Sequence, residues 1–279
     1  MFNPEREAMR HSNFDAAFQR ALKVLDEDGI DPESFRDLYG NTNVNRDLVY
    51  VADRKARFAK EDRSEQGELR KLAKIFEAIV HEQAEMSNWL GEDAHTIRPS
   101  EFDDIANGVD SIVEFQQGDT AASHLALAID VTFNSQAEDK LRRIKKEIEQ
   151  GEMSHIRYFE SEFMGFRGEL SQVPRVIIGA DRKAVGELVE MWMEGGPRAL
   201  ADHPIQQQIV REIAMQLEAF SSYARSKNQT EVASVYTKTQ GIVDGIILEK
   251  AKKRPTLPDS AFAGDEVFEG IRVFLKNFK

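Results

Sequence analysis

Apolar residues recur at helical spacing along most of the chain and give way to extended apolar runs near its centre. Phe14, Phe18, Leu22 and Leu25 predict a first helix, closed by Gly29. Asp31-Pro32-Glu33 reads as a new helix start with Pro32 at the first helical position, and Gly40 ends that piece. A further helix is expected from Asn45 to Ala59. Leu69, Leu72, Ile75, Phe76, Ile79 and Met86 then form the stripe of a long amphipathic helix, about Ser64 to Leu90, stopped by Gly91.

A polar loop from Glu92 to Asn107 leads into two predicted strands, Val109 to Phe115 and His124 to Phe133. The second is more apolar than alternating, the pattern of a strand buried on both faces. A helix follows over about Glu138 to Gln150, then strands at His155 to Phe159 and Val173 to Ala180, then a helix from Arg182 to Glu194. Gly195-Gly196-Pro197 breaks the pattern. Beyond His203 the chain reads as helices over Pro204 to Lys227 and Glu231 to Lys252. A link with two prolines, Arg254 to Gly264, precedes a last helix whose Val267, Phe268, Ile271 and Phe274 form a docking face.

The order divides the chain into an N-terminal helical region (1–63), an α/β core (64–197) and a C-terminal helical region (198–279). A helix between strands predicts a mixed sheet covered by helices, in the α/β (α+β) class.

Composition narrows the chemistry. The 279 residues are 41% apolar, enough for a packed core. Cysteine is absent, which removes disulfides, thiol catalysis and thiolate metal sites and fits a cytoplasmic setting. No apolar stretch is long enough to span a bilayer, so no membrane partner is expected. The six histidines show no metal-ligand spacing, and His81-Glu82 lacks the second histidine of a zinc protease helix. Phosphate loops, dinucleotide glycines and serine elbows do not occur. The net charge of −12 opposes a broad nucleic-acid surface, but Lys140, Arg142, Arg143, Lys145 and Lys146 crowd one helix.

Carboxylates remain as the carriers of chemistry. Asp110 lies at the first central strand and Asp130 inside the second, where its apolar neighbours leave a charge costly to bury without a partner or a metal. Adjacent pairing would set the two acids side by side, an arrangement that calls for a proton or a cation between them. Hard oxygen ligands suit Mg²⁺, or Mn²⁺. The chain climbs roughly 10–13 Å beyond Asp130 at about 3.3 Å per residue. A helix starting near Glu138 and descending about 1.5 Å per residue would return to that level near Lys145, with Lys140 the second choice. The preceding long helix offers a third acid, Glu77 or Glu82, on a packed face. The competing structural readings are a salt bridge between Asp130 and Lys145 and a capping role for Asp103-Asp104.

Gly108-Val109-Asp110, Ala128-Ile129-Asp130-Val131-Thr132 and the lysine-bearing helix together resemble the PD-(D/E)XK nuclease superfamily, over roughly Glu65 to Glu194. The resemblance implies a restriction-endonuclease-like αβββαβ core and Mg²⁺-dependent hydrolysis of nucleic acid, DNA before RNA. It matches Asp110 and Asp130 to the two strand acids that hold the metal and Glu77 to the acid on the first helix. Val109 stands in place of the proline, and Thr132 stands where the family lysine belongs, so Lys145 or Lys140 would take that role from the helix. The first strand of that core falls in the loop near Thr96 to Phe102. The alternative is a member that kept the fold, lost the reaction and serves as an interaction or scaffold module. Monomer and homodimer both remain open.

Overall fold

The computed structural model describes residues 4–27, 29–61, 65–118, 122–130, 135–161, 163–195 and 198–279, with the backbone alone at 4–12, 60, 61, 65, 66, 128, 130, 135 and 136. The chain opens with α1 (Pro4–Glu27), a 3-10 turn Pro32–Phe35 and α2 (Arg36–Glu61). Asp31 caps the turn by accepting from the Glu33 amide, and Gly40 interrupts α2 with non-helical dihedrals (φ 75°, ψ 154°), at the predicted break.

The sheet elements follow. They are α3 (Glu65–Ser87), β1 (Ala94–Ile97), β2 (Ser111–Gln116), β3 (Ala122–Asp130), α4 (Ser135–Gln150), β4 (Ser154–Glu160), β5 (Arg167–Val173), β6 (Arg175–Gly179) and α5 (Arg182–Glu194). The main sheet has the order β1-β2-β3-β6. The pairs β1–β2 and β2–β3 are antiparallel, and β3–β6 is parallel. A parallel neighbour requires a crossover, and α4 lies in it. The expected mixed sheet with flanking helices is therefore observed. A strand does precede Asp110, but β1 covers Ala94–Ile97 and ends just before Arg98 and Pro99, earlier than the loop near Thr96 to Phe102 where the sequence placed it.

Two details differ from the sequence reading. The strand expected at Val173 to Ala180 is split: β5 ends at Val173 and β6 begins at Arg175, with Pro174 between them. Pairing of β5 with β4 makes a separate two-stranded hairpin. Its Ile156, Phe159 and Val173 pack on Ile112 and Ala126 of the main sheet. Residues of opposite parity on β2 and β3, Val113, Phe115, Leu125, Leu127 and Ile129, join the large core with α3, α4 and the C-terminal helices. That two-sided cover explains why β3 is apolar rather than alternating.

The C-terminal region contains α6 (Ile205–Ser226), α7 (Thr230–Lys253) and α8 (Glu266–Phe274). Helix α6 closes the open edge of β6 with side chains. Gln216 donates to the Ile177 carbonyl (2.6 Å) and accepts from its amide (2.9 Å). Glu212 accepts from the Gly179 amide (2.9 Å), and Gln208 donates to the Gly179 carbonyl (3.3 Å). The spacing fits: four helical residues rise about 6 Å and two strand residues about 6.6 Å. Burial pushes the Glu212 carboxyl well up, against the pull of the Gly179 amide. With the amides and carbonyls of Ile177 and Gly179 taken by α6 side chains, this stretch of the edge offers no free ladder to another chain. Among the described residues no helix is long and apolar enough to cross a membrane.

Candidate functional site

The start of β2 is built by a break in the chain. Residues Asp103–Asn107 wind as a short π-helical segment, and Gly108 ends it in the left-handed region (φ 67°, ψ 43°), a conformation glycine adopts without strain. Asp103 is fully buried and accepts from Ser100 Oγ (2.8 Å), Asn107 Nδ2 (2.7 Å) and the amides of Arg157 (2.8 Å) and Tyr158 (3.0 Å). It ties the β4–β5 hairpin to this segment. Asp104 turns the other way, into a cluster of charges.

That cluster draws on four elements. From α3 come Lys74 and Glu77, from the loop just past β1 comes Arg98, and from the segment before β2 come Asp104 and Asp110. Lys74 Nζ lies 2.9 Å from both Glu77 Oε2 and Asp104 Oδ2. Arg98 pairs with Glu77 Oε1 through Nη1 and with Asp104 Oδ2 at 3.1 Å through Nη2. The same Nη1 donates to the Asp110 carbonyl at 2.7 Å. Lys140 arrives from α4, its Nζ 3.3 Å from the Ile129 carbonyl. Three carboxylates and three cations thus converge at one end of the sheet, where a buried charge without a partner would cost several kcal/mol.

Asp110 stands just before β2 and extends its ladder. Its amide donates to the Leu127 carbonyl (2.9 Å), and its carboxylate Oδ2 accepts from the Ile129 amide (2.7 Å). Both backbone groups of Ile129 are therefore held by site residues, the amide by Asp110 and the carbonyl by Lys140. The next residue is Asp130, the last of β3, whose backbone pairs with Gly179. The Asp130 side chain lies outside the described residues, as do Val131 and Thr132.

The charges shift one another. Burial raises the Asp104 carboxyl, but Lys74 and Arg98 outweigh it and hold the group at about 2. At Glu77 burial prevails over Lys74 and Arg98, and the carboxyl rises to about 7. Burial also raises Asp110, opposed first by Lys140. Burial lowers Lys74, but Glu77 and Asp104 more than reverse it and the ammonium is stabilised.

Comparison with known proteins returns no matching family model, no matching curated protein and no matching solved structure.

The residues expected from the sequence fall as follows. Glu77, Asp110 and Lys140 are brought to one end of the sheet, and the backbone of Asp130 reaches the same place. Glu82, the other acid considered on α3, is occupied elsewhere by Arg20 (3.0 Å) and the Trp192 indole. The distance argument that set Lys145 level with Asp130 is corrected. Lys145 donates to the Asn277 carbonyl (2.8 Å) and lies over the Tyr223 ring, 5.1 Å from its centroid. The helix begins at Ser135, three residues before the expected Glu138, so the lysine that reaches β3 sits earlier, at Lys140. Both Glu77 oxygens are engaged by cations, whereas Asp110 Oδ1 has no hydrogen-bond partner among the described residues. Among those residues no three His, Asp or Glu side chains are grouped to hold a metal ion.

The sequence reading passed over Lys74 and Arg98 and left Asp104 as a cap. Lys74 lies one turn before Glu77, a visible i,i+3 pair. Arg98 lies in a loop with no periodicity to mark it.

Proposed function

We propose that the chain is a divalent-metal-dependent nuclease that hydrolyses phosphodiester bonds of DNA, on a restriction-endonuclease-like core. One observation carries the reading. The elements of the main sheet run helix–three strands–helix–strand, with the β4–β5 hairpin inserted between α4 and β6, and in that frame Asp110 just before β2 and Lys140 from the crossover helix meet at Ile129, the residue before Asp130. Helical regions on both sides and a cysteine-free composition fit an enzyme of the reducing cytosol.

In this reading Asp110, through its open Oδ1, and Asp130 would hold Mg²⁺ or Mn²⁺, which would supply Lewis acidity at the scissile phosphate and lower the pKa of a bound water. Water attacks phosphorus, the bond from phosphorus to the leaving sugar oxygen breaks, and that oxygen takes up a proton. Lys140 places a positive charge beside Ile129 and Asp110, where it orients the attacking water and stabilises charge developing on the phosphate oxygens. Glu77 acts through Arg98 as a positioning residue, because Arg98 holds the Asp110 carbonyl and so the entry to β2.

Cleavage of a DNA substrate in Mg²⁺ and in Mn²⁺ tests the reading. Wild-type protein is expected to cleave with either metal and to lose the reaction in EDTA. Asp110→Asn keeps the shape but weakens the carboxylate's hold on a cation, and is expected to lose at least about 100-fold in rate. Equal activity in wild type and variant would contradict the assignment.

A second reading is favoured by a different observation. Lys74 and Arg98 already neutralise Glu77 and Asp104, so much of the cluster is balanced without a metal. A protein that kept the fold as an interaction module would show no cleavage, and divalent metal would not raise its melting temperature.

A further inference from the structure

Beside the candidate site stands a second charged group that the proposed reaction does not use. Arg143 of α4 and Arg175 of β6 share the carboxylate of Glu147. Arg143 Nε lies 2.9 Å from Glu147 Oε1, and Arg175 Nη2 lies 2.7 and 2.8 Å from the two oxygens. Two guanidiniums on one carboxylate leave a surplus positive charge. Arg175 is buried and further fixed by the Asn107 carbonyl (2.6 Å). Arg143 is half exposed, and neither of its terminal nitrogens has a partner among the described residues.

Gly108 brings this pair against the site. A Cβ added there would lie 3.6 Å from Arg143 Nη1 and 3.7 Å from Arg175 Nη1, so the missing side chain leaves the guanidiniums open beside the backbone. Asp110 is two residues further on, at most about 7 Å away along the chain. Lys140 is one turn back on α4, with about 5–6 Å between the Cβ atoms of such neighbours. The other arginine of the turn, Arg142, is occupied by Glu138 and by Asp139 (2.7 Å).

We infer that Arg143, braced by Glu147 and Arg175, binds a backbone phosphate of the substrate strand next to the one cleaved. It is a positioning residue, and the inference rests on the nuclease reading. The chemistry fits: a guanidinium offers paired N–H donors to phosphate oxygens. In a chain of net charge −12, such a contact supplies local attraction that the surface as a whole does not.

Binding of a fluorescein-labelled DNA duplex in EDTA, across a salt series, separates the two claims. Arg143→Ala is expected to weaken binding about tenfold and to make the log–log salt slope shallower by about one. Arg143→Lys should recover part of the loss, and Lys23→Ala, on α1, should bind as wild type. In cleavage assays Arg143→Ala should raise KM and leave kcat near wild type. Wild-type binding with an unchanged Arg143→Ala variant would overturn the inference while leaving the nuclease reading intact. Binding that depends on Arg143 without cleavage by wild type would support the phosphate contact and overturn the nuclease reading. A wild-type protein that binds no DNA at any salt would overturn both.

Discussion

Replacing Arg98 with alanine is expected to destabilise the fold by about 3–5 kcal/mol, the cost of breaking a buried ion pair from one side. The guanidinium serves three acceptors at once: Glu77, Asp104 and the Asp110 carbonyl. With it gone, Glu77 keeps one cation, Lys74, which must then also serve Asp104 alone. The Asp110 carbonyl loses its side-chain donor at the point where β2 begins, so the loss reaches the candidate site as well as the stability. A urea titration monitored by tryptophan fluorescence measures the change, because Trp89 and Trp192 are both fully buried. Arg98→Met combined with Glu77→Gln should cost less than the sum of the two single variants, since each removes the partner the other leaves unpaired. A loss below about 1 kcal/mol for Arg98→Ala would mean that the cluster is solvated and not a buried network.

The second large effect is expected at Lys140. Lys140→Met keeps the length and apolar stem but removes the charge that opposes the burial of Asp110 and the donor to Ile129. In the proposed reaction turnover should fall by about 10²–10³, the range for removing one preorganised donor from a transition state. Stability should change little by comparison. Lys145→Met should do the reverse. It removes the contact to the Asn277 carbonyl and the cation over Tyr223, and so loosens the C-terminus while leaving turnover near wild type. Comparable loss of turnover in both variants would contradict the assignment of Lys140.

The contrast between these lysines shows what the sequence carries. The apolar run of β3 and the stripe of α3 made the order of elements legible, because burial on both faces and helical periodicity leave direct traces in residue type. The two acids stood out for a related reason, Asp130 among apolar neighbours and Asp110 two residues after Gly108; the structure sets Asp130 at the end of β3 and Asp110 just before β2. The choice of lysine depended on where α4 starts, and the three-residue earlier start accounts for three of the five residues that separate Lys145 from Lys140. The choice between Glu77 and Glu82 turned on partners in distant segments, Arg98 for one and Arg20 with Trp192 for the other. Those partners lie in a loop and in other helices, so no local pattern announces them. Splitting of the late strand at Pro174 was hidden for the opposite reason: β5 is largely exposed and polar, and its pairing with β4 is irregular.

The central claim is that Asp110 and Asp130 form a divalent-metal site served by Lys140. Manganese-edge anomalous diffraction from crystals soaked in Mn²⁺ tests it most directly. The account predicts a peak within coordination distance of Asp110 Oδ1 and the Asp130 carboxylate, and its loss in Asp110→Asn crystals. Manganese bound elsewhere, with Asp110 held only by the Ile129 amide and Lys140, would contradict it.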